Sequence, residues 1–299
     1  MATQAYRKIS KVFSPQFKNE GVGVKVLRII GGEHCRRLDP FLMLDFAHLK
    51  LPAGFPDHPH RGFETVSYLL KGTMLHEDFK GNKGTLQAGD VQWMTAGKGM
   101  VHSEMPASFT EEAIGFQLWI NLEKKDKMCE PQYQEIKSDK LPIVQKDGVW
   151  IRLIAGEAFG QKGPIFTRTP AFYMDVRLEK NVKFNQQIPK EFQGMVFLYE
   201  GSLVLGQNQQ KVLDKQVAIF EPDTEETINI TASQEGAKFL LIAGKPIKEP
   251  VYSYGPFVLD SQQNLNTTFE DYQEEKNGFE GARGWQSEIQ FLAELKNLK

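Results

Sequence analysis

Two short stretches carry side chains that can hold a metal or move a proton. The first is Gly54-Phe55-Pro56-Asp57-His58-Pro59-His60-Arg61-Gly62-Phe63-Glu64, and the second is Gly97-Lys98-Gly99-Met100-Val101-His102-Ser103-Glu104. In extended chain, residues i and i+2 point to the same face. His58 and His60 can therefore converge on one point, and His102 and Glu104 have the same relation. Glu64 lies four beyond His60 and shares that face if the strand continues. Imidazoles with a carboxylate form a ligand set for first-row transition metals. The six histidines are His34, His48, His58, His60, His76 and His102, and none follows in the remaining 197 residues. Histidine chemistry in this chain belongs to its N-terminal half.

Plainer roles compete for several of these residues. His58 and His60 can be loop histidines beside two prolines. Glu64 can be a structural acid paired with Arg61 or another base, or a support for a metal ligand rather than a ligand. His34, His48 and His76 have no ligand partner at strand spacing and read as surface or packing residues. Trp93 and Phe55 read as core rather than as the wall of a substrate pocket. Cys35 beside Arg36-Arg37 can be an activated thiolate, but no His or acid is placed to act with it, so it reads as structural. The basic pairs Arg36-Arg37 and Lys124-Lys125 are too short for a nucleic-acid patch.

The elements that must position these side chains read as short strands. Of 299 residues, 40% are hydrophobic and 25% charged, ordinary globular composition with ample length for a core. Val22–Ile30, Thr65–Leu70 and Phe116–Leu122 are strand-like by β-branching or alternation. Trp150–Ile154, Ala171–Val176 and Phe239–Gly244 read likewise in the second half. Met195–Gly201 echoes Ser67–Gly72, and Gln216–Phe220 echoes Asp90–Met94. Two weakly similar all-β halves result, divided in the polar stretch near residue 138 into 1–138 and 139–299. Helices are expected only near the C-terminus, at Thr268–Lys276 and Ser287–Lys296. Thirty-six Lys+Arg against 38 Asp+Glu give a net charge of -2, which removes the electrostatic case for direct nucleic-acid binding. No apolar run approaches about 18 residues, and the N-terminus lacks an apolar signal core, so no membrane span is expected. Two cysteines without a CxxC exclude a disulfide scaffold and point to a reducing compartment.

The spacing Gly54-x3-His58-x-His60-x3-Glu64-x7-Gly72 resembles the first cupin motif. Gly97-x-Gly99-x2-His102 is similar to the second, with Gly97 where many cupins have proline. The longer strings Phe55–Val66 and Gly89–Gly97 resemble the pirin family. So do Leu38–Phe41, Thr167–Pro170, Leu241–Gly244, Gly255–Val258 and Lys276–Glu280. The resemblance spans nearly the whole chain.

The resemblance implies an all-β bicupin, two antiparallel jelly-roll β-barrels with short C-terminal helices. It implies one Fe(II) per chain in the N-terminal domain, while geometry alone also admits Mn, Ni, Co, Cu or Zn. The ligands carried over are His58, His60, His102 and Glu104, and most other cupins would use Glu64 instead of Glu104. The C-terminal domain is expected to lack a metal site, because alignment of Gly201 with Gly72 sets Gln187 and Pro189 opposite His58 and His60. The implied activity is cleavage of the flavonol quercetin by a 2,3-dioxygenase using O2, with Glu104 as proton acceptor. The alternative is a non-enzymatic, iron-dependent redox regulator acting through protein partners. A third reading is a zinc or manganese cupin isomerase. The expected compartment is the cytoplasm, with the nucleus added for a eukaryotic source.

Overall fold

The computed structural model describes residues 5–21 and 23–294. The chain divides into two compact units, and the ends cross the division expected at 138/139. One unit comprises residues 17–31, 41–138 and 247–294; the other comprises 5–16, 32–40 and 139–246. The N-terminal crossing has a plain cause. Strand Ile9–Phe13 pairs antiparallel with Val217–Phe220 and so completes the sheet of the later residues.

That sheet has nine strands. Its main path runs Ile9–Phe13, Val217–Phe220, Gln193–Leu205, Thr227–Gly244, Ala171–Leu178, Val149–Ala155, Ile143–Lys146. Its core is apolar, with Ile151, Val176, Val196, Phe239 and Leu241 fully buried.

Among the described residues the histidine-bearing unit holds two larger sheets and the two-stranded ribbon of Tyr252–Tyr254 and Phe257–Leu259. The seven-stranded sheet runs Gln132–Ile136, Val91–Thr95, Phe63–Lys71, Ala113–Asn121, Phe41–Leu49, Val24–Ile30, Gln16–Glu20. The four-stranded sheet runs Phe55–His60, Met100–Pro106, Thr73–Asp78, Lys83–Gln87. Alternation along the strands sorts the large sheet into two faces. Leu44, Leu118, Val66 and Trp93 stand side by side in register on one face, each 0% exposed. The other face carries a polar row in register: Arg28, Asp45, Gln117, Ser67, Gln92 and Glu135. An unbroken polar row on the inner side of a sheet marks the lining of a site rather than packing.

The echo between the halves has a structural counterpart. Gly72 and Gly201 both take a left-handed conformation, φ 78° and 92°. A Cβ at either would come within 2.4 Å or 2.3 Å of a backbone carbonyl, Glu112 O or Gly236 O. Only glycine turns the chain there.

Two expectations need correction. The fold is mostly β and of the bicupin kind, but its sheets are open rather than closed into barrels, since the strand orders end in edge strands. Among the described residues there is a single α-helix, α1 at Gln262–Gln273. It starts six residues before the expected Thr268 because Ser261 caps it, its hydroxyl accepting from the Asn264 amide. The expected helix Ser287–Lys296 is a 3-10 turn at Ile289–Ala293, and its last two residues lie outside the described ones. No helix among the described residues is long and apolar enough to cross a membrane.

Candidate metal centre

Phe55–His60 is an edge strand of the four-stranded sheet, which is where Pro56 and Pro59 are tolerated without breaking a ladder. It pairs antiparallel with Met100–Pro106, setting His102 opposite His58 and Met100 opposite His60. The three imidazoles converge: ring centroids lie 4.7 Å apart for His58–His60, 4.5 Å for His58–His102 and 4.9 Å for His60–His102. One ligand nitrogen from each lies within 4.8 Å of the others. His60 and His102 are buried, and the Trp119 and Phe63 rings stand edge-on to His60 at 5.4 Å and 5.1 Å.

Burial sets their charge. It pushes His102 down to about 3 and His58, beside His102, down to about 4; His60 falls well below the ordinary value. All three are neutral at pH 7 and offer lone pairs. The His58 Nδ1 donates to the Pro56 carbonyl at 2.7 Å, which leaves Nε2 as its ligand atom. Both ring nitrogens of His102 are buried with no hydrogen-bond partner among the described residues. Buried polar atoms are almost always paired, so this nitrogen set fits a metal better than it fits a protein interior.

The two candidate carboxylates differ. Glu104 is buried and held at both oxygens, accepting from Ser67 Oγ at 2.7 Å and Gln117 Nε2 at 2.7 Å. Ser67 and Gln117 come from the polar row, so the site lies between the two sheets. A bulge between His102 and Glu104 breaks their regular spacing against Phe55–His60. The structure brings the three imidazoles together but not the Glu104 carboxylate within the same cluster. Glu64 follows a different path. Thr65 and Ser67 face the row, so Glu64 points to the opposite face, where Thr95 Oγ1 donates to it at 2.7 Å.

Other residues fall as follows. Of the two roles open to His76 the packing one holds: it is buried, stands opposite Glu104 and pairs with Glu135 at 2.9 Å. His48 is half exposed beside Glu112, and His34 packs on Phe13. Trp93 is core. Burial pushes the Cys35 thiol up, against an activated thiolate. Sequence reading missed Ser67, Gln117, Gln92 and Asp45. Their signal was present as polar residues at alternate positions in strands otherwise apolar.

A His-x-His edge strand closed by a third histidine, in one of two β units, is an arrangement of the cupin class and could hold a metal ion. Sequence profiles agree: residues 23–120 match the pirin family and residues 173–278 the pirin C-terminal cupin domain. The chain is 47% identical to pirin of Rattus norvegicus over 276 residues, 91% of this chain and 94% of that protein. It superposes on the quercetin 2,3-dioxygenase of Acinetobacter baumannii with TM-score 0.83 and 32% identity, covering 92% of this chain and 99% of that one. The fold also matches bacterial pirin YhhW of Escherichia coli, solved in complex with nickel(II), with TM-score 0.63 and 23% identity, over 81% and 98% of the two chains. The chain belongs to the pirin family.

Proposed function

We propose that this chain is a metal-dependent dioxygenase that cleaves a flavonol of the quercetin type. The observation that carries the reading is the convergence of three neutral imidazoles, two of them buried, on strands that also carry Glu104, whose carboxylate two side chains hold in place. The solved neighbour named quercetin 2,3-dioxygenase supports it. His58, His60 and His102 would hold one metal ion, Fe(II) first among the candidates, with Glu104 as fourth ligand or as base. The ion, when bound, supplies a Lewis-acidic, redox-capable centre.

The remaining work falls to the chain. Glu104 accepts the proton of the flavonol 3-hydroxyl, which makes the ring easier to oxidise. Ser67 and Gln117 fix the carboxylate for that transfer. Trp119 and Phe63 form an apolar wall beside His60. Both atoms of O2 enter the ring-opened product, and one ring carbon leaves as carbon monoxide.

The test is anaerobic reconstitution with Fe(II), addition of quercetin, then air. Loss of the flavonol absorbance with release of carbon monoxide is the expected result. Loss of colour without carbon monoxide would indicate simple oxidation. A metal-loaded protein silent with every first-row metal would overturn the reading and favour a redox regulator acting through protein partners.

A further inference from the structure

Each histidine of the trio has a near neighbour in sequence that is gripped by the C-terminal residues 256–287. Next to His60, Arg61 is 1% exposed, and its guanidinium is spoken for on every side. Nε donates to the Lys98 carbonyl at 2.5 Å, Nη1 to Asp271 at 2.7 Å and Thr268 at 3.3 Å, and Nη2 to the Asn277 carbonyl at 2.8 Å. The Phe279 ring covers it at 4.6 Å. The backbone is clasped as well. The Arg61 amide donates to the Pro256 carbonyl, and the Val258 amide to the Arg61 carbonyl. The buried Lys127 ammonium donates to Gly62 O, Val258 O and Asn121 Oδ1.

The other two histidines are served by the same segment. Asp57, beside His58, accepts from the Ser287 amide at 3.0 Å. Val101, beside His102, packs with Phe257, Leu259, Leu265 and Phe279. Lys98, whose carbonyl Arg61 holds, lies in the turn that launches the His102 strand. Arg61 thus ties the end of one ligand strand to the start of the other, and both to α1.

We propose that Arg61 is a positioning residue: its buried bonds to Lys98 and Asp271 fix the spacing of the two ligand strands and make metal loading and docking of residues 256–287 mutually dependent. This rests on the trio being a metal site. Coupling between two events is reciprocal. Metal should tighten the tail, and a loosened tail should weaken metal. Loss of a group that orients metal ligands typically lowers affinity about 10–100-fold.

The experiment uses the full chain and Ni(II) as probe. Hydrogen exchange is followed with and without Ni(II), and affinity is measured by calorimetry. Bound Ni(II) should slow exchange in α1 and residues 277–282 while leaving Val196–Leu198 of the other unit unchanged. Asp271→Asn keeps the shape but removes the charge; it should speed exchange in α1 and lower Ni(II) affinity about 10–100-fold. Arg61→Lys, which keeps the charge but not the fork, should fall between it and the parent. A chain that binds Ni(II) tightly with no change in tail exchange would overturn the coupling and leave the metal site standing. So would Asp271→Asn with a loosened tail and unaltered affinity. A parent chain that takes up no Ni(II) would overturn both.

Discussion

Replacing His102 by leucine should flatten the pH dependence of stability in the metal-free protein by a predictable amount. Burial holds His102 at about 3 and His58 at about 4 in the folded chain, against an ordinary value of 6.5. The unfolded chain therefore binds more protons between those values, and stability rises with pH across that window. Well above 6.5 neither state is protonated and the effect vanishes. At about pH 5 the unfolded imidazole is almost fully charged while the folded one is still neutral, which removes about 2 kcal/mol per buried histidine. That figure hardly depends on how far below 5 the folded value lies. His58 and His102 together give a loss of about 4 kcal/mol between pH 7.5 and about pH 5, and His60 acts in the same direction. Asp45, whose burial raises it to about 6, shifts stability in the opposite sense in the same window. It is present in both proteins and cancels in the difference. Urea denaturation with a chelator at the two pH values, for the parent chain and His102→Leu, isolates one imidazole. The parent should lose about 2 kcal/mol more than the variant. Equal losses would refute the burial of a neutral His102.

Three further outcomes are expected. Glu104→Gln should slow quercetin turnover about 10²–10⁴-fold even when metal-loaded, and Glu64→Gln should slow it less, since Glu64 points away from the trio; the reverse order, read by flavonol absorbance, would reassign the base. His60→Ala should abolish stoichiometric metal uptake, and the parent should carry one ion per chain, both read by elemental analysis. Gly62→Ala places a Cβ 2.0 Å from the Val258 carbonyl at φ 87°, so it should cost at least about 1–3 kcal/mol by urea denaturation.

The strands were legible because their alternation is regular: Trp150–Ile154, Ala171–Val176 and Phe239–Gly244 each lie within an observed strand. Val22 of Val22–Ile30 lies outside the described residues. The trio was legible because i, i+2 spacing is a local property that survives folding. The carboxylates were harder. Which face Glu64 takes depends on the break at Arg61-Gly62, where φ 87° at Gly62 interrupts the strand. The extra residue that Phe55–His60 carries opposite His102–Glu104 likewise shifts the register between the two ligand strands, and no local pattern announces either. The grip of α1 and Asn277 on Arg61 was invisible because Thr268, Asp271 and Asn277 lie more than 200 residues away. Sheet closure also depends on pairings between distant strands, which composition does not encode.

The crossing of the chain ends has a consequence for synthesis. When residue 246 has left the ribosome, both histidine strands exist, but Pro256, α1 and Ser287 do not. The candidate metal site then has its ligand strands but not its brace. Meanwhile Ile9–Phe13, made first, waits for a partner strand that ends at Phe220. An edge strand left waiting is a template for the wrong neighbour. A chain cut at 138 would keep every histidine and yet hold neither the clasp nor a home for its first strand. Such a fragment should aggregate rather than fold, and a nascent chain should acquire its metal only at the end of translation.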